Sequence, residues 1–160
     1  MDRNALRALI PDETRLRFGE DIAPEYLSDT LGRLRGKASA LVFVRSTEEV
    51  SAVMKYAYAR NIPVTPRGAG TNLVGSTVPL DGGIILDLSQ MNRVLELDAD
   101  TMTVTVEPGL LLQDLQAYVE ARGLFYPPDP GEKTASIGGN ISTNAGGMRA
   151  VIYGVTRDYV

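Results

Sequence analysis

The sequence predicts an α+β fold, with a small parallel βαβ piece followed by a mixed sheet. Three observations carry that expectation. An apolar run at 40–44, a helical periodicity after Ser46 and a second apolar run at 62–65 read as strand, helix, strand. A run at 94–97 faces an alternating run at 102–106 across Asp98-Ala99-Asp100-Thr101, which reads as a hairpin with one wet face. Pro108-Gly109 then opens a second helical periodicity.

Taken in order, residues 1–37 read as a polar, irregular N-terminal extension with one short helix around 4–10, stopped by Pro11. The run 40–44 is a buried strand. Ser46 followed by Glu49 gives the spacing of a capping box. Val50, Val53, Met54, Ala57 and Tyr58 recur at helical spacing, with Glu48 and Glu49 in the first turn and Arg60 at the end, as the helix dipole favours. Asn61 closes this helix, and the strands on either side of it should run parallel. The run 84–88 is another buried strand. In the hairpin, Met102, Val104 and Val106 share one face and Thr101, Thr103 and Thr105 the other. Leu112, Leu115 and Val119 stripe the second helix, which Gly123 closes. The final residues, Arg157-Asp158-Tyr159-Val160, read as the start of a strand.

With 160 residues the chain fits one domain with a sizeable core. The net charge of −4 and pI near 4.9 give no electrostatic footprint for nucleic acid. There is no cysteine and no histidine. That removes disulfides and the commonest general base and metal ligand. The opening lacks the apolar core of a signal peptide, and no run approaches the roughly 20 apolar residues of a membrane span. A cytoplasmic protein with no integral membrane segment is expected.

Two glycine-rich stretches stand out. The first is Pro66-Arg67-Gly68-Ala69-Gly70-Thr71-Asn72-Leu73-Val74-Gly75-Ser76, leaving the C-terminal end of a predicted strand, where ligands of α/β units bind. Its glycines allow positive φ and close approach, so successive N–H groups can form a nest for phosphate oxygens. Thr71 and Ser76 could add hydroxyl donors, and Arg67 a positive charge. The glycine spacing is not that of a dinucleotide-binding fingerprint. It is not a P-loop either, because Ser76 takes the lysine position. A wide turn without function is the other reading of this stretch.

The second stretch runs from Pro127-Pro128-Asp129-Pro130-Gly131 to Thr134-Ala135-Ser136-Ile137-Gly138-Gly139-Asn140-Ile141-Ser142-Thr143-Asn144-Ala145-Gly146-Gly147. Gly138 and Gly139 would bring bare backbone to a surface. Asn140 and Asn144 share a face if Ser136 caps a helical turn, whose N–H groups would then be free for an anion or a flavin carbonyl. A tight surface loop is again the alternative.

Together, in this order, the two stretches resemble the FAD-binding domain of the vanillyl-alcohol oxidase / p-cresol methylhydroxylase family, glycolate oxidase FAD subunits and FAD-linked D-lactate dehydrogenases in particular. The resemblance rests on Pro66-Arg67-Gly68-Ala69-Gly70-Thr71 with Gly75, and on Pro128-Asp129-Pro130, Ile137-Gly138-Gly139-Asn140, Asn144-Ala145-Gly146-Gly147 and Tyr153-Gly154. It implies that residues 38–160 are the N-terminal part of a two-subdomain FAD-binding domain. The first loop, with Ser76, would wrap the pyrophosphate. The second stretch would line the ribityl chain and isoalloxazine ring. Some relatives attach flavin through a histidine where this chain has Thr71, so non-covalent FAD is expected.

The resemblance further implies oxidation of a small 2-hydroxy acid such as glycolate or D-lactate, with a separate electron acceptor. Other oxidase subunits, or self-association, are the expected protein partners. The family's domain continues beyond Val160, so the chain is expected to be a piece whose catalytic base and substrate domain lie elsewhere. Val151, Ile152 and Val155 should then be core-facing positions left with little to pack on. No residue here presents itself as a catalytic base; Asp129, between prolines, reads as a turn-former. Two other functions stay open: a flavin-binding module without turnover, and a fold-related NADPH-dependent enolpyruvyl-sugar reductase.

Overall fold

Contacts divide the chain into two units, Met1–Gln90 and Met91–Val160, and each is described by itself. The computed structural model describes residues 1–71 and 73–160.

In the first unit, α1 (Arg3–Leu9) is capped by Asp2, whose carboxylate accepts the N–H groups of Asn4 and Ala5. Leu6 and Ile10 are fully buried. β1 (Leu16–Phe18) pairs antiparallel with β2 (Ala40–Phe43). The short helix expected before Pro11 is present, but the rest of 1–37 is less irregular than expected, since it also supplies an edge strand. Arg15 adds a bidentate ion pair to Glu49 at 2.7 and 2.8 Å, tying this segment to the helix after β2.

That helix, α2 (Thr47–Tyr58), starts where Ser46 predicts, with Ser46 Oγ accepting the Glu49 N–H. The Glu49 carboxylate takes the Arg45 N–H instead of completing the box. The buried face is Val53, Tyr56 and Ala57, while Met54 and Tyr58 of the predicted stripe are exposed. The reason is tertiary: the Tyr56 hydroxyl accepts the Asp2 N–H and donates to the Asp2 carbonyl, which turns this side of α2 toward α1.

β3 (Val64–Arg67) begins two residues later than expected. Ile62 still donates to the Ala57 carbonyl, and Asn61 at φ +51° completes the helix exit. β4 (Ile84–Asp87) is buried at every position and lies between β2 and β3, parallel to both, in the order β1-β2-β4-β3. The predicted parallel relation thus exists through β4. Pro66, which cannot donate to a ladder, falls on the edge strand where it is tolerated. Arg67 and Asp87 are register partners at the C-terminal ends of β3 and β4.

The second unit opens with the predicted hairpin, β5 (Val94–Asp98) against β6 (Thr103–Val106). Met102 sits in the turn at φ +56°, mostly exposed, and not on the strand's apolar face. α3 (Leu112–Glu120), α4 (Ile137–Thr143) and α5 (Ala150–Tyr153) follow. Leu110, Leu112, Leu115, Val119 and Ile137 form the core, covered by Val94, Leu97, Val104 and Val106. Burying such side chains is worth roughly 1.5–3 kcal/mol each. The last residues form a short 3-10 turn, Thr156–Tyr159, not a strand, because buried Thr156 gives both its N–H and its hydroxyl to the Ala145 carbonyl. On α5, Val151 is 98% and Ile152 79% exposed, so these apolar residues pack on little. Among the described residues no helix is long and apolar enough to cross a membrane.

Candidate flavin site

The first glycine loop leaves β3 at Gly68, with Pro66 and Arg67 still in the strand. Gly70 and Gly75 have φ of +74° and +73°, conformations a side chain would strain. Among the described residues, the N–H groups of Gly68, Ala69, Gly70 and Thr71 find no backbone carbonyl. Four consecutive donors at the C-terminal end of a parallel strand are the makings of an anion nest. Asn72, within this stretch, lies outside the described residues. Gly75 is buried, Ser76 exposed, and Ala69 and Thr71 half-buried.

Arg67 lies beneath the loop rather than at its rim. It is 9% exposed, and its guanidinium sits 4.9 Å from the Tyr26 ring centroid. A Cβ on Gly70 would land on that guanidinium. Asp87 is buried beside it, and burial pushes its carboxyl above the usual range against the opposing pull of the Ser89 hydroxyl, the Ser89 N–H and Arg67. Arg67 Nη1 has no hydrogen-bond partner among the described residues.

In the second unit, Gln116 Nε2 donates to the Pro128 carbonyl at 3.3 Å and holds the proline segment. Asp129, read from the sequence as a turn-former, is 5% exposed. Its Oδ2 lies 3.6 Å from Arg149 Nε, while Oδ1 is buried with no hydrogen-bond partner among the described residues. α4 forms with Ser136 as its cap, but its N–H groups are not free for a ligand as expected. Ile137 donates to Leu110 O, Gly138 to Pro108 O, Gly139 to Ser136 Oγ and Asn140 to Ser136 O. Gly138 presses on Pro108, where a Cβ would collide, whereas Gly139 is exposed. Ile137 and Asn140 are buried. Asn144 ends α4 at φ +49°, its Oδ1 accepting the Arg157 N–H, so it closes a turn instead of extending Asn140's face. Ala145 donates to the Asn140 carbonyl, and Gly146 packs toward Val155. Gly147, at φ +114°, leaves no room for a Cβ against the Asp129 backbone.

In the first unit the donors of 68–71 over the buried Arg67 fit an anion such as a phosphate. Two of the three buried side-chain atoms without a hydrogen bond among the described residues belong to sequence-selected positions, a cation in Arg67 and a carboxylate oxygen in Asp129. A family model described as FAD binding domain matches residues 38–160.

The chain belongs to this FAD binding domain family.

Membership implies FAD as the cofactor. The chain is 49% identical over 148 residues to a D-lactate dehydrogenase of Anaerostipes hadrus, covering 91% of this chain and 31% of that protein. It is 44% identical over 147 residues to glycolate oxidase subunit GlcD of Bacillus subtilis, covering 91% and 30%. It thus spans about a third of the length of these curated relatives. The fold superposes on an alkyldihydroxyacetonephosphate synthase with a TM-score of 0.84, at 22% identity, over 99% of this chain and 32% of that one. The α+β architecture is therefore that of the p-cresol methylhydroxylase-type FAD-binding domain.

Sequence reasoning missed Asp87, although an acid ending the run Ile84-Ile85-Leu86 was a visible signal of a buried charge. It also missed Tyr26, whose ring lies against Arg67, Thr30, whose hydroxyl donates to the Gly70 carbonyl, and Leu34, which packs against Gly75. No local pattern marks them, since only the fold brings them there.

Proposed function

We infer that this chain is the FAD-holding portion, within residues 38–160, of a flavin-dependent oxidoreductase that oxidises a small 2-hydroxy acid such as glycolate or D-lactate. The observation that carries the reading is the identity to a D-lactate dehydrogenase over nearly the whole chain, with the glycine loop among the matched residues. A bound FAD would supply the acceptor for a hydride, which carries both electrons, from the carbinol carbon, while the hydroxyl proton leaves to a base. The chain's own residues bind and orient it. The N–H groups of 68–71 supply donors to the pyrophosphate, with Gly75 setting the loop's return and Ser76 on its exposed side. Arg67 puts a positive charge behind them. Of the positions proposed for the ribityl chain and ring, Gly139, Asn144, Ala145 and Gly146 offer accessible surface, while Pro128, Asp129, Ile137, Gly138 and Asn140 back it from within. Thr71 and the absence of cysteine and histidine support a non-covalent cofactor.

The test is anaerobic mixing of the purified flavoprotein with glycolate, D-lactate or NADPH. Bleaching of flavin absorbance by a 2-hydroxy acid is expected. Bleaching by NADPH alone would replace the reading with a reductase, and bleaching by none with a binding module.

A further inference from the structure

We propose that residues 27–36 form a clasp that holds the glycine loop in its anion-accepting shape. The inference rests on the loop's assignment above but is measured separately from it. The segment lies outside the residues matched by the family, and it is a small hairpin by its own bonding. Gly36 donates to Leu27 O at 2.7 Å, Ser28 bridges Arg35, and the buried Asp29 accepts the Leu34 N–H at 2.9 Å. Gly32, at φ +65°, makes the tip.

The hairpin is anchored just past the loop it touches. Lys37 donates to Pro79 O at 3.1 Å, and Gly36 approaches Pro79 so closely that a Cβ would collide with its backbone. From that base it reaches the loop at two points, while the residue before it reaches a third. Thr30 Oγ1 donates to the Gly70 carbonyl at 3.1 Å. The Leu34 side chain occupies the space a Cβ on Gly75 would need. Tyr26, immediately before the hairpin, stacks against the Arg67 guanidinium that backs Gly70.

The physical logic is that of preorganisation. Two positive-φ glycines and four consecutive N–H groups that meet no backbone carbonyl among the described residues leave the stretch from Gly68 to Thr71 to be shaped by what packs against it. Tethering the Gly70 carbonyl fixes the peptide plane that links it to Thr71. Filling the Gly75 face fixes the return of the loop. Ordering the loop before the ligand arrives reduces the entropy lost on binding.

The experiment is backbone 15N relaxation over residues 68–76 in Thr30→Val, Leu34→Ala, Tyr26→Ala and Tyr26→Phe, without added FAD. The first three should lower the loop order parameters from the rigid range of roughly 0.85 toward roughly 0.6. They should leave those of α2 unchanged. Tyr26→Phe keeps the ring over Arg67 and should behave as wild type. Unchanged loop order parameters in Thr30→Val and Leu34→Ala would overturn the clasp, as would a fall spread evenly over the unit. FAD titration of the protein reads the other assignment. Wild type failing to bind FAD would sink the cofactor reading while the relaxation result stood.

Discussion

The two glycine stretches use the same residue for opposite purposes. In the first, Gly70 and Gly75 sit at positive φ, and four backbone donors have no carbonyl partner among the described residues. In the second, Gly138 and Gly139 lie in a helix, Gly138 packs on Pro108, and every N–H from Ile137 to Asn140 is engaged. The first stretch offers hydrogen bonds; the second offers shape. A glycine-rich motif therefore names a place where side chains are excluded without saying what excludes them.

The sharpest way to break this contrast is Gly147→Ala. Its φ of +114° and the collision with the Asp129 backbone give strain that nothing flexible can relieve. Strain and overpacking together should cost roughly 3–5 kcal/mol, read as a lowered urea midpoint. A wild-type midpoint would show that the second stretch is not braced there.

Next comes Gly70→Val. Left-handed backbone costs a side chain roughly 1–2 kcal/mol, but the clashing group is the far end of Arg67, which can move. The protein should stay folded by circular dichroism and lose FAD affinity by more than about tenfold, or 1.4 kcal/mol. Gly68→Val should do the same. Retention of stoichiometric FAD would mean that these are turn glycines only. Gly123→Val, at φ +75° with nothing within 4 Å and outside both stretches, is the strain-matched control and should keep FAD.

Gly139→Ala should be milder. The new methyl meets only the cap hydroxyl, at 3.0 Å. Helix propensity favours alanine by roughly 0.5–1 kcal/mol, so the net change in melting should be small. FAD affinity should still fall, because the methyl projects from an exposed face proposed to line the flavin. Unaltered affinity would remove Gly139 from that surface.

The smallest effect expected is with pH. The hydrogen bond from Arg15, more than any other contact, holds the Glu49 carboxyl below its ordinary value of 4.5. A depressed folded value means the stabilisation is full above about 4.5 and fades as pH falls through the folded value. Glu49→Gln should therefore lower the urea midpoint at pH 7 and narrow its difference from pH 4. An unchanged pH dependence would remove Glu49 as a contributor to acid lability.

Much of the fold was legible because it depends on local signals. The Ser46 cap, the continuous apolar run of β4, the hairpin's acidic turn and the left-handed exit at Asn61 all follow from short-range sterics and hydrogen bonding. So did the location of both glycine stretches. What the sequence by itself determined is where the backbone must be bare and which segments must be buried. Only the tertiary structure decided which face of α2 is inside, because that depended on Tyr56 finding Asp2 across 54 residues. Only it placed β4 between β2 and β3, turned residues 27–36 onto the first loop, and gave the N–H groups of α4 to Leu110, Pro108 and Ser136. Those outcomes rest on pairings between residues distant in the chain, for which a local pattern carries no signal.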